Sequence, residues 1–112
     1  MIRVTIFYEK KDTISGFMAE GHSGYSERGS DIVCSAVTTA VMTAANGITD
    51  VLGLNAKVKV KDGYLKCLLP KNMNEQETYG AKILTKSMYL TLKNIEEQYS
   101  DYIVIIERRC SK

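Results

Sequence analysis

A single histidine and a cysteine that follows it carry the main chemical signal in this sequence of 112 residues. His22 is the chain's one imidazole, the side chain that exchanges protons near neutral pH. Cys34 comes after a glycine-rich stretch. Because a thiol becomes a strong nucleophile when a base removes its proton, the pair predicts covalent chemistry by Cys34 with His22 as the base.

The residues beside Cys34 predict its place in a helix. Asp31, or Ser30 before it, is a suitable N-cap for a helix that runs to about Leu52. Cys34 would then lie in the first turn, where the positive end of the helix lowers a thiol pKa and free backbone amides can form an oxyanion hole. A second interpretation makes Asp31 a carboxylate that orients His22 or a substrate amide.

The segment between His22 and Ser30 predicts a flexible loop. It contains Gly24, Tyr25 and Gly29 among small and polar side chains, and it offers no apolar cluster to bury. We expect it to close over an extended substrate, so that specificity depends partly on induced fit.

The hydrophobic periodicity predicts the elements that position these residues. Strands are expected at 2–9, 14–20, 56–61, 64–69 and 102–108, and helices at 31–52 and 74–99. The order ββαββαβ predicts one α+β domain over residues 1–112, with a mostly antiparallel sheet of about five strands and two helices. The last strand is apolar on both faces, which favours a central position in the sheet.

Surface features of the sequence predict how the chain is used. Tyr79, Ile83 and Leu90 lie on a helix face away from the predicted core stripe, which favours a homodimer contact. The chain opens with an alternating strand pattern rather than a signal peptide, and no apolar run approaches the ~18 residues of a membrane span. We therefore expect a cytoplasmic protein that does not enter a membrane.

Several other classes of site are disfavoured. The three cysteines are widely spaced and odd in number, which argues against a disulfide framework and a metal site. The glycines after residue 20 lack the Gly-Lys-Ser/Thr of a phosphate loop, so no cofactor is expected. Lys57, Lys59 and Lys61 form a solvated strand face without interleaved aromatic residues, so no direct nucleic-acid binding is expected.

The stretch Gly21-His22, Gly24-Tyr25 and Gly29-x-Asp31-Ile32-Val33-Cys34-Ser35-Ala36-Val37 resembles the ribosomal-processing cysteine protease family, Prp. The resemblance covers the chain in length and element order. It implies a His22/Cys34 catalytic dyad, with Gly21, Asp31, Ser35 and Thr38 binding or orienting the substrate. It also implies a cytosolic homodimer that removes the short N-terminal extension of large-subunit ribosomal protein twenty-seven after a hydrophobic, aromatic-rich motif.

Two alternatives from other classes stay open at this point. The small size and basic second half also suit a non-catalytic module associated with the ribosome. An accessible cysteine alone would serve a thiol redox sensor, which needs no base. Faster alkylation of Cys34 than of the other thiols would argue against the first alternative, and loss of function on His22→Ala would argue against the second.

Overall fold

The computed structural model describes residues 1–21 and 28–109, with residues 28–31 described for their backbone alone. The elements follow the predicted order. They are β1 (Ile2–Lys10), β2 (Thr13–Glu20), α1 (Arg28–Asn46), a π-helical segment (Gly47–Val51), β3 (Lys57–Lys61), β4 (Tyr64–Leu68), α2 (Glu75–Gln98) and β5 (Ile103–Arg109). Within these described ranges, the α+β class and the count of five strands and two helices are confirmed.

The sheet is mixed, with the strand order β3-β4-β2-β1-β5. Three neighbouring pairs are antiparallel, and β1 pairs with β5 in parallel. The prediction that the last strand lies centrally is wrong, because β5 is an edge strand. Its outer edge is protected by α2, since the Ile105 backbone N–H donates to a Glu96 carboxylate oxygen at 2.8 Å.

One face of the sheet packs against the helices. Alternate residues of β1 (Ile2, Val4 and Ile6) are fully or almost fully buried there, together with Phe17 of β2. Both predicted helices bury an apolar stripe in the same core. The stripes are Val33, Val37, Val41, Ala44 and Ile48 in the segment 31–52, and Ala81, Met88 and Leu92 in the segment 74–99. Every helix and strand except β3, whose residues are all exposed, therefore contributes to one shared apolar layer.

Ile32–Val51 is long and apolar enough, by composition alone, to cross a membrane, with a mean hydropathy of 1.4. This corrects the expectation that no run approaches that length. The same segment supplies the buried residues of α1, including Val33 and Val41, which are at most 2% exposed. Packing against the sheet accounts for its apolar character, as in the core helix of many domains.

Candidate active site

A cavity of about 430 Å³ lies where β2 ends beside the turn between β3 and β4. Three parts of the chain form its walls: the end of β2, one side of α1, and the turn with its flanking residues. Cys34 lines the cavity and is partly exposed. The volume lies within the usual range for small-molecule and peptide side-chain sites, so the thiol faces a space that a substrate group can occupy.

Gly21 fixes the edge of this cavity. Its φ of +92° is a conformation that other residues rarely adopt, and a Cβ atom there would lie 2.8 Å from the Met1 carbonyl oxygen. Its N–H donates to the Gly63 carbonyl oxygen at 2.9 Å, which ties the end of β2 to the β3–β4 turn. The glycine before His22 is therefore required by the backbone, and it lines the same cavity as Cys34.

The predicted start of the first helix is wrong by about one turn. α1 begins at Arg28, so Asp31 and Ser30 lie inside the first turn rather than capping it from outside. Cys34 is then in the second turn. The helix dipole acts mainly within the first turn, and the unbonded amides of a helix belong to its first four residues. The predicted oxyanion hole made by helix-start amides next to Cys34 is therefore not supported.

Thr38 and Ser35 occupy different sides of α1. Thr38 lies one turn after Cys34 and lines the same cavity, together with Val37 and Val41. Ser35 instead lines a separate, larger groove of about 690 Å³ between α1 and α2, which contains hydroxyl and apolar side chains but neither a thiol nor a charged group. Of these two residues, Thr38 is the one positioned to contact a substrate at Cys34.

Several predicted site residues cannot be placed. His22, Gly24 and Tyr25 lie outside the described residues, and Gly29 and Asp31 are described for their backbone in α1 alone. The contact between His22 and Cys34, the flexible loop and the role of the Asp31 carboxylate therefore remain predictions.

The β3–β4 hairpin contributes residues that the sequence did not assign to the site. Lys61, Asp62 and Tyr64 line the Cys34 cavity, as does Glu20 at the end of β2. The two strands of this hairpin were predicted, but the position of the hairpin depends on the hydrogen bond between Gly21 and Gly63, which joins segments about forty residues apart. These four side chains give the cavity a charged and hydroxyl-bearing rim around an apolar interior.

The second described thiol has the opposite environment. Cys67 in β4 is completely buried in the core, and this burial raises its pKa to about 11. At neutral pH it stays protonated and out of reach of reagents. Among residues 1–21 and 28–109, Cys34 is thus the thiol that can meet a substrate.

Residues 1–104 match the family model described as cysteine protease Prp. The ribosomal processing cysteine protease Prp of Bacillus subtilis is 29% identical over 103 residues, which cover 90% of this chain and 92% of that protein. The fold is similar to that of a Streptococcus mutans protein, with a TM-score of 0.84 and 25% identity over 98% of this chain and 96% of the other. It is also similar to Staphylococcus aureus Prp with a covalently linked product peptide, with a TM-score of 0.81 and 23% identity over 96% and 100%.

These matches span almost the whole domain, including the segment that carries Cys34. The class of protein is therefore a cysteine protease, consistent with a partly exposed thiol facing a cavity. Within that class, the chain belongs to the cysteine protease Prp family.

Proposed function

We propose that this protease removes the short N-terminal extension of large-subunit ribosomal protein twenty-seven, with Cys34 as nucleophile and His22 as base. Relatives of similar length bear the name ribosomal processing cysteine protease. The observation that carries the proposal is the placement of Cys34, Thr38 and Gly21 around one cavity. His22 directly follows Gly21, which lines that cavity.

The proposed reaction has two stages. His22 takes the proton from Cys34 as the sulfur attacks the scissile carbonyl carbon, and the resulting imidazolium protonates the leaving amine when the C–N bond breaks. Water, deprotonated by His22, then attacks the thioester carbon and returns the free thiol. The apolar wall residues Val37, Val41 and Met42 suit a substrate with hydrophobic or aromatic side chains before the cleaved bond.

The decisive experiment incubates the purified protein with the precursor ribosomal protein and follows cleavage by mass spectrometry. We expect Cys34→Ala and His22→Ala each to abolish cleavage while leaving the fold intact by circular dichroism. Cys67→Ala is the matched control, because it removes a buried thiol that faces the core. Cleavage by the Cys34→Ala protein would contradict the proposed nucleophile.

A second arm tests the substrate rather than the chemistry. A precursor whose aromatic residues before the cleavage site are replaced by alanine should resist the active enzyme, and an unrelated unstructured protein should remain intact. If the enzyme degraded both equally, the assignment to one ribosomal precursor would be wrong although the protease activity would stand.

We also propose that the protein is a homodimer that uses the outer face of α2. Tyr79, Ile83 and Leu90 are 69%, 48% and 56% exposed, so they form apolar surface that the described residues do not cover. Replacing Ile83 and Leu90 with glutamate should shift the mass in sedimentation equilibrium from dimer to monomer. Val51→Glu is the control, because Val51 is 81% exposed on another element. A monomeric parent protein, or a dimer that survives the double substitution, would contradict this interface.

The proposed location is the cytoplasm. The thiols of Cys34 and Cys67 are free, as expected in a reducing compartment. Cell fractionation with an antibody to the protein tests this, and recovery in the membrane fraction after a high-salt wash would contradict it.

A further inference from the structure

The sheet has a second face that does not belong to the core. Because neighbouring residues of a strand point to opposite faces, the register assigns Phe7, Met18, Leu68 and Ile106 to the side away from the helices. None of these four residues is part of the core or packs against it. No described helix therefore covers this face, which we name the open sheet face.

The open sheet face is strongly basic. Its paired positions carry six cations, namely Arg3, Lys57, Lys59, Lys61, Lys66 and Arg108. Glu20 is the one carboxylate at those paired positions, and Glu9 is the unpaired residue at the β1 irregularity between Tyr8 and Lys10. Within the part of the chain that the structure describes, none of the six cations is in an ion pair. The net positive charge of these paired positions is larger than the formal net charge of +2 of the whole chain, so positive charge is concentrated on this side.

Two aromatic residues lie among these cations. Phe7 is adjacent to Arg108 across the β1–β5 pair, and Tyr64 pairs with Lys61 across the hairpin. The Lys66 ammonium lies 5.9 Å from the centroid of the Phe7 ring. A ring that can stack on a base and a cation that can bind a phosphate are therefore side by side, on a face where both are partly accessible.

We propose that the open sheet face binds single-stranded nucleic acid, with the lysines holding phosphates and Phe7 stacking on a base. Charge complementarity favours a polyanion, and it argues against a second copy of the chain, since two such faces would repel each other. The interleaved aromatic rings favour a single strand over a duplex, whose bases are already stacked.

The dimensions of the sheet suit this ligand. Five strands at ~4.8 Å spacing make a face about 19 Å across, which accommodates about three unstacked nucleotides. Glu20, Lys61 and Tyr64 border both this face and the Cys34 cavity. A nucleic acid bound on this face would therefore end beside the cavity. The proposed binding does not depend on which protein the enzyme cleaves.

The experiment measures fluorescence anisotropy of labelled single strands of about 12 nucleotides, one RNA and one DNA of matched sequence, at salt from about 50 to 200 mM. The tested variant is Lys57→Gln, Lys59→Gln, Lys66→Gln. We expect its Kd to rise about tenfold or more and its salt slope to fall by about 2, because each phosphate contact contributes ~0.7. Phe7→Leu should weaken binding about fivefold or more while keeping an apolar side chain.

The matched control is Lys71→Gln, Lys82→Gln, Lys86→Gln, which removes the same charge from exposed positions away from the open sheet face. It should bind as the parent does, and thermal melts should show that all variants fold. Equal losses in both triple variants, tighter binding of a duplex, or an unchanged Kd in Phe7→Leu would overturn the proposal. The proposal would also be overturned if neither the RNA nor the DNA oligonucleotide bound at about 50 mM salt. Binding to phosphatidylglycerol vesicles in that case would assign the face to a membrane surface. Protease activity on the precursor is measured in parallel. That measurement tests the proposed substrate, whereas the anisotropy measurement tests the open sheet face, so the two proposals can fail independently.

Discussion

At the residue scale, Thr38 and Ser35 show that the side of a helix on which a hydroxyl lies determines which cavity it lines. They are three residues apart on α1, yet Thr38 lines the Cys34 cavity and Ser35 lines the groove between the helices. The sequence resemblance implied a substrate role for both hydroxyls, but the structure places the two side chains on different sides of α1.

We predict that Thr38→Ala lowers kcat/KM for precursor cleavage about tenfold and that Ser35→Ala leaves it unchanged. The reason is that a hydroxyl at the cavity can donate one hydrogen bond to substrate, worth ~1 to 1.5 kcal/mol, whereas one in the other groove cannot reach it. Steady-state kinetics with a peptide substrate measures both. Thr38→Ser should retain activity, and equal losses for Thr38→Ala and Ser35→Ala would contradict the separation.

Gly21 gives a second prediction at this scale. Gly21→Ala combines an unfavourable positive φ with a Cβ atom 2.8 Å from the Met1 carbonyl oxygen, whereas Gly53→Ala has a positive φ of +69° but nothing within 4 Å. Gly53→Ala should cost ~1 kcal/mol of unfolding free energy, and Gly21→Ala clearly more, because the backbone must also move. Urea denaturation measures both values. Equal losses would mean that the contact with Met1 does not matter.

At the scale of the element, α2 is the best determined from sequence. Asn74 accepts a hydrogen bond from the Glu77 N–H at 2.8 Å, and the Glu77 carboxylate accepts one from the Asn74 N–H at 2.9 Å. This reciprocal capping box follows from the two residue types and their spacing of three, and it begins the helix predicted over 74–99. Local chemistry was sufficient there because both partners lie within one turn.

We predict that Asn74→Ala lowers the unfolding free energy by ~1 kcal/mol through loss of this cap. Asn46→Ala is the control, because Asn46 makes no side-chain cap to the π-helical segment that follows it. Chemical denaturation of the two variants under identical conditions makes the comparison. If the control lost as much as Asn74→Ala, the effect could not be assigned to capping.

Two elements show where sequence reasoning stops. Ser and Asp are favoured both at an N-cap and in the first helical turn, so Ser30 and Asp31 locate the start of α1 only to within a turn. The apolar residues of β5 suggested a central strand, but a side chain from α2, Glu96, satisfies its edge N–H. That partner lies in another element, and no local pattern could reveal it.

At the scale of the whole molecule, the class, the order of elements and the core stripes could be predicted because they follow from local periodicity. The strand order and the parallel β1–β5 pair could not, since they depend on contacts distant in sequence.

The composition of the open sheet face could not be predicted from the sequence for the same reason. No aromatic residue is interleaved with the lysines of β3 in the sequence. The pairing of the strands brings Phe7 and Tyr64 onto the same face as these lysines.

The buried thiol of Cys67 predicts a loss of stability in alkali. In the unfolded chain it ionises near pH 8.5 to 9, but in the folded protein burial raises its pKa to about 11. The unfolded state therefore releases its proton first, and the unfolding free energy falls as pH rises from about 9 to 11. Tyr8, whose pKa is raised to about 12 chiefly by burial and then by Glu107, acts in the same direction.

A comparison with Cys67→Ala isolates this contribution. The variant should be less stable than the parent at pH 8, because it leaves a small cavity, but the gap should narrow by ~1 kcal/mol between pH 8 and pH 10. Urea denaturation at both pH values measures the gap. Since Tyr8 is present in both proteins, a gap that stayed constant would show that the Cys67 thiol ionises alike in the folded and unfolded chains.

The pairing of β1 with β5 has a consequence for the order in which the protein is built. β1 starts at Ile2, its parallel partner ends at Arg109, and the Ile2 N–H donates to the Tyr102 carbonyl oxygen at 2.8 Å. During synthesis β1 can pair with β2 at once, but its pair with β5 must wait for the last strand, and contacts between such distant residues form slowly. Ile2 also lines the Cys34 cavity. The hydrogen bond that fixes Ile2 at the edge of this cavity therefore forms only after β5 has left the ribosome that made it.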